Sequence, residues 1–85
     1  MFQVRSINKV FKEDSLPLEL VKGDGYFYYI FDMCDAHNVY ETETEYVYRL
    51  SDMTKDEWIR RGRMFAIEMM HKYGINASLG YAGMA

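Results

Sequence analysis

The chain has 85 residues, which allows one domain built on one core. Hydrophobic residues make up 49% of it, as in folded rather than disordered chains. The net charge of −3 argues against the strongly basic face that nonspecific nucleic-acid binding requires. Cys34 is the single cysteine, so no internal disulfide can form and a reducing compartment is the simplest setting. No apolar run approaches the ~20 residues that span a bilayer. Residues 1–14 lack the apolar stretch and cleavage site of a signal peptide. These features together predict a cytoplasmic protein that meets neither membrane nor nucleic acid directly.

Residues 2–13 open the chain with Val4, Ile7, Val10 and Phe11 at helical spacing and Arg5, Lys9 and Lys12 elsewhere on the wheel. This helix is expected to stop before Ser15-Leu16-Pro17, because proline disfavours helical geometry in the residue before it. Residues 18–22 read as a short strand. Gly23-Asp24-Gly25 is a hairpin signal, since Asp-Gly tolerates the positive φ angles of a tight primed turn. Residues 26–33 form the second strand, dense in aromatic residues that favour strands. Hairpin parity groups Leu18 and Leu20 with Phe27, Tyr29 and Phe31. Glu19 and Val21 fall with Tyr26, Tyr28 and Ile30.

Cys34-Asp35-Ala36-His37-Asn38 reads as the second turn, and residues 39–50 as a long third strand with a bulge or bend. Tyr40, Thr42, Thr44, Tyr46 and Tyr48 alternate with Glu41, Glu43 and Glu45. Three carboxylates are poor candidates for burial. The tyrosine and threonine side is therefore expected to join Phe27, Tyr29 and Phe31 beneath the helices.

Thr54 and Glu57 have the spacing of a capping box, and Met53 with Trp58 that of a hydrophobic staple. Trp58, Gly62, Phe65, Met69 and Tyr73 then recur at three and four, widened by Ile59, Ala66 and Met70. Gly74 sits where a left-handed C-cap is expected, and His71 and Lys72 suit the helix dipole. The predicted fold class is α+β: a three-stranded antiparallel meander flanked by an N-terminal and a C-terminal helix, in the order α-β-β-β-α. Residues 1–75 form the single domain and residues 76–85 a tail.

Few residue groups carry chemistry. Cys34, Asp35 and His37 share one turn, but metal sites need three or four ligands at characteristic spacing, and only His71 remains as a second histidine. No catalytic residue, metal or cofactor is assigned. Glu41, Glu43 and Glu45 form an acidic patch, fit either for a basic partner or simply to deter edge-to-edge aggregation. Arg60, Arg61 and Arg63 read as a solvated face that pairs with Asp56, Glu57 or Glu68. Tyr40, Tyr46, Tyr48 and Trp58 are candidates to line a pocket between sheet and helix. Eight tyrosines and five phenylalanines exceed what one small core needs. Two helices can cover one face of a three-stranded sheet, which leaves Val21, Tyr26, Tyr28 and Ile30 as a candidate interface.

The stretch Leu20-Val21-Lys22-Gly23-Asp24-Gly25-Tyr26-Phe27-Tyr28 resembles one in short uncharacterised proteins carried on bacterial plasmids, phages and integron gene cassettes. Tyr40-Glu41-Thr42-Glu43, Val47-Tyr48-Arg49-Leu50, and Trp58 with Gly62-Arg63-Met64-Phe65 fit the same pattern. The resemblance covers residues 18–70. It implies a bacterial, intracellular accessory protein and carries no activity. Three functions follow as expectations. The first is a non-enzymatic interaction module, homodimeric through the open sheet face. The second is an acidic inhibitor or adaptor that binds a basic surface of a host protein. The third is a small-ligand binder or enzyme using a pocket between sheet and helix.

Overall fold

A computed structural model describes residues 1–75, and the expected tail at 76–85 lies outside the described residues. The element order is α1 (Val4–Glu13), β1 (Leu18–Lys22), β2 (Phe27–Met33), α2 (Cys34–His37), β3 (Val39–Glu45), a 3-10 turn (Leu50–Asp52) and α3 (Lys55–Lys72). The strands form one antiparallel sheet in the order β1-β2-β3. The α+β meander between two long helices is the architecture expected.

Both long helices lie on one side of the sheet. Leu18, Leu20, Phe27, Tyr29 and Phe31 are buried there with Ile7 and Phe11 of α1 and Trp58, Phe65, Ala66, Met69 and Met70 of α3. Gly62 is the point of closest approach. A Cβ at this position would lie 2.4 Å from Phe11 Cζ and 2.9 Å from Tyr29 Cε1, so α1, α3 and β2 meet over a residue that has no side chain. Two buried polar tips are satisfied within this core. The Tyr29 hydroxyl donates to the Trp58 carbonyl at 2.7 Å, and Trp58 Nε1 donates to the Leu50 carbonyl at 2.7 Å.

The register corrects the expected facing of β3. Phe27 pairs with Glu45, Tyr29 with Glu43 and Phe31 with Glu41. Directly opposed residues share a face, so the glutamates lie on the helix side and Tyr40, Thr42 and Thr44 on the open side. The carboxylates are not buried together as a result. β3 is an edge strand, and its rim beside α3 reaches water and the cations of that helix. The third strand is also shorter than expected. It stops at Glu45, opposite the first residue of β2, and the Val47 N–H turns back to the Glu45 carbonyl at 2.9 Å.

The turns differ in detail. Only Gly25 of the first hairpin has positive φ (+84°), where a primed turn of the Asp-Gly type would place Asp24 there as well. α1 is stopped by Ser15 rather than by Pro17 alone. Ser15 adopts φ 59°, its N–H reaches the Lys12 carbonyl, and the Leu16 N–H reaches that of Phe11 at 3.0 Å. This is a Schellman motif with serine in the glycine position, and Leu16 is buried beyond it. α3 ends in the same motif with Gly74 at φ 62°, as its sequence signals. At the other end of α3, the Thr54 hydroxyl accepts the Glu57 N–H at 3.1 Å. Glu57 does not complete a reciprocal box, because its carboxylate is taken by Arg60 and Arg61.

Candidate functional site

The two edges of the sheet are treated differently. β1 is closed by a side chain. The Asn8 amide nitrogen donates to the Leu20 carbonyl at 2.9 Å, and its oxygen accepts the Leu20 N–H at 2.6 Å, so one residue of α1 imitates a neighbouring strand. β3 has no such cover. The Gly23 N–H bonds the Tyr26 carbonyl, which sets the alternation along the hairpin. The backbone groups of Tyr28 and Ile30 therefore point to β1, and those of Tyr29 and Phe31 to β3. In β3, Glu41, Glu43 and Glu45 bond inward. The N–H and C=O groups of Tyr40, Thr42 and Thr44 point outward and meet no backbone partner among the described residues.

The candidate interface residues do share the face away from the helices. Val21 pairs with Tyr28, and Glu19 with Ile30. The rings of Tyr26 and Tyr28 lie 5.9 Å apart, and Tyr26 folds back over Gly23, where a Cβ would lie 2.5 Å from its Cζ. Val21, Tyr28 and Ile30 are half-buried and Tyr26 is 37% exposed. Six aromatic side chains cluster in the core instead. Phe27 and Trp58 stack edge-on at 5.0 Å, and Tyr29 lies between Phe11, Trp58 and Phe65. Charge divides the open face. Glu19 and Asp32 occupy the end near Pro17, while Tyr26, Tyr28, Val21 and Thr44 leave the paired residues toward the hairpin uncharged, with Asp24 in the turn beyond them.

The acidic patch is a set of ion pairs more than a bare ladder. Glu45 receives Arg61 at 3.1 Å. Glu41 receives Lys72 at 3.3 Å and the hydroxyl of Tyr73. The hydrogen bond from Tyr73, then that from Lys72, holds the Glu41 carboxyl below its usual range. Glu43 makes no ion pair among the described residues. Partial burial raises its pKa, the charges of Glu45 and Glu68 add to this, and the charge of Arg61 opposes it. Glu43, Glu45 and Glu68 line a cleft of about 380 Å³ between β3 and α3, over Met64 and Phe65 and beside Arg60 and Arg61. The arginines are likewise engaged. Arg60 and Arg61 converge on Glu57 at 2.7 Å each, and Arg63 meets Asp14, just past the end of α1, at 2.7 Å.

Tyr40, Tyr46, Tyr48 and Trp58 are not brought together. Trp58 is fully buried, while Tyr46 and Tyr48 stand 89% and 68% exposed beyond the end of β3. Tyr48 borders a cleft of about 420 Å³ with Phe2, Val4, Lys22, Phe27 and Arg49. Tyr40 borders a different one, of about 290 Å³, with Pro17, Glu19, Ile30 and Asp32.

Cys34 is exposed on the single turn of α2, and Asn38 leaves that turn in the left-handed region at φ 55°. The hydrogen bond to Asp32 pushes the thiol pKa upward, with desolvation and the charges of Asp32 and Asp35 adding to it. That environment opposes a nucleophilic thiolate. No group of three or more His, Cys, Asp or Glu able to hold a metal occurs among the described residues. No helix among them is long and apolar enough to cross a membrane.

The free edge of β3 went unrecognised in the sequence. A signal for it was present: Val39, apolar at the start of the strand, shares parity with the glutamates and is buried. No family model, curated protein or solved structure matches the chain.

Proposed function

We propose that the chain is a non-enzymatic interaction module that self-associates through the open face of its sheet. One observation carries this reading: both long helices pack on the same side, leaving Val21, Tyr28 and Ile30 with Tyr26 uncovered on the other. Half-buried tyrosine and aliphatic side chains on an unlayered sheet suit an interface, since tyrosine offers area and a polar tip. The charge division favours a second copy as occupant. A two-fold axis near the hairpin end would set uncharged surface on uncharged surface and hold each Glu19 and Asp32 pair away from its mate. A bacterial mobile-element origin and a cytoplasmic setting belong to the same proposal. The first is supported by the residue pattern over 18–70 and the second by a lone exposed thiol.

Sedimentation velocity over a micromolar dilution series tests it. The expected result is a dimer that Tyr28→Glu converts to monomer and that Tyr46→Glu, off this face, leaves intact. A wild-type chain that stays monomeric throughout refutes the proposal.

A further inference from the structure

We infer that the free edge of β3 accepts one extended peptide segment of a partner protein, with basic residues at alternate positions. The interaction uses the backbone edge of the strand and not the Val21, Tyr28 and Ile30 surface of the open face.

Three properties point to it. The first is hydrogen-bonding capacity. Tyr40, Thr42 and Thr44 present consecutive outward N–H and C=O groups, the repeat that an added strand satisfies, and no described residue occupies them. The second is contrast. The opposite edge is capped at its central residue, Leu20, by both halves of the Asn8 amide, so β3 is the more open of the two edges. The third is charge. In an antiparallel addition, side chains opposite Glu41, Glu43 and Glu45 fall on the helix side, at the mouth of the cleft that holds Glu68. Glu41 and Glu45 already have ion-pair partners there, whereas Glu43 and Glu68 make no ion pair among the described residues, and Glu43 feels Arg61 only at longer range. A lysine or arginine facing Glu43 would supply a direct partner. Residues between the basic ones would continue the open face beside Tyr40, Thr42 and Thr44, where uncharged β-branched side chains fit.

The same geometry disfavours a second copy at this edge. Two antiparallel β3 strands would set glutamate ladder against glutamate ladder, with Glu43 and Glu68 lacking a direct ion-pair partner on both sides. A basic strand removes the conflict that a self-pair creates.

The probe is a blocked peptide of about nine residues that alternates lysine with threonine and valine. Its control has the same composition with the lysines consecutive. Binding to the full chain is followed by amide chemical shifts. The alternating peptide is expected to move the amides of Tyr40, Thr42 and Thr44 and to saturate below about 1 mM, with the control at least tenfold weaker. Thr42→Pro removes one outward N–H and leaves the bonds to β2 in place, so it is expected to weaken binding at least tenfold. Glu43→Lys should do the same without touching the ladder, and it decides the matter if the proline variant fails to fold. Equal affinity for the control peptide would reduce the effect to charge alone and overturn the inference. So would shifts centred on Val21, Tyr28 and Ile30, or no saturation. A homodimer abolished by Thr42→Pro would assign the edge to a second copy and overturn it as well.

Discussion

Gly62→Ala is a stringent test of how the helices meet the sheet. On an isolated helix the change would help, because alanine is favoured over glycine by about 1 kcal/mol. Here the added methyl would lie 2.4 Å and 3.0 Å from Cζ and Cε1 of Phe11, and 2.9 Å from Cε1 of Tyr29. Neither ring has room to retreat. Both are fully buried, and Tyr29 is also tethered through its hydroxyl to the Trp58 carbonyl. Overpacking of a filled core costs about 1–3 kcal/mol, and fixed rings place this site at the upper end. The net expectation is a loss of about 2 kcal/mol after the propensity gain is subtracted. In a domain of this size that lowers Tm by about 10 °C. Urea titration followed by Trp58 fluorescence measures it, since Trp58 is the single tryptophan and sits one turn away. Phe11→Leu made in the alanine background should recover part of the loss, giving a coupling energy between the two positions. A variant as stable as the wild type, or more so, would refute the close approach of α1, α3 and β2.

Further outcomes follow from other contacts. Ser15→Gly relieves a left-handed serine at φ 59° and is expected to stabilise by about 0.5–1 kcal/mol, whereas Gly74→Ala at the matching position of α3 loses about 1 kcal/mol. Paired thermal melts check both. Tyr29→Phe removes the hydroxyl from a buried hydrogen bond and is expected to cost about 1 kcal/mol in urea titration, with Tyr46→Phe as a neutral control. Hydrogen bonds from Arg60 and then Arg61 hold the Glu57 carboxyl at about 2, below its unfolded value. Its contribution is thus complete above the unfolded pKa and disappears as pH falls toward 2, and Glu57→Gln should flatten the acid limb of the stability curve. Glu43 has the opposite sign. Its raised pKa makes its contribution favourable at low pH and lost as pH rises through the folded value, so Glu43→Gln should improve stability at neutral pH relative to acid.

Much of the fold was legible because local signals and burial agreed. The helix from Lys55 shows its cap at Thr54, its stripe from Trp58 to Met70 and its stop at Gly74 before any tertiary fact is known. Leu18 and Leu20 share a face with Phe27, Tyr29 and Phe31 because a hairpin leaves no other parity. The facing of the third strand departs from the expectation for a physical reason. Alternation shows that two faces differ but not which one is inner, and charge alone points the glutamates outward. That rule holds for a covered strand. At an edge, a glutamate can face the helix layer and still meet Arg61, Lys72 and solvent. Tyr46 and Tyr48 continued the alternation in sequence after β2 had run out of residues to pair with them. The pocket expected from these tyrosines failed with the strand. The closure of one edge by Asn8 was invisible for a different reason: it joins a helix to a strand twelve residues away, and no local pattern marks it.

That closure also sets how far any assembly can grow. A monomer with two reactive ends makes a polymer, and a monomer with one makes only a terminated pair. Asn8 occupies one end of this sheet, so strand addition at β3 completes it and presents no new edge of this chain for propagation. Edge pairing is thereby limited to a defined stoichiometry even at high concentration. Replacing Asn8 with alanine should cost about 1–3 kcal/mol through the unpartnered Leu20 groups, and it should also turn a chain terminator into a repeating unit, visible as light scattering that grows with time where the wild type stays clear.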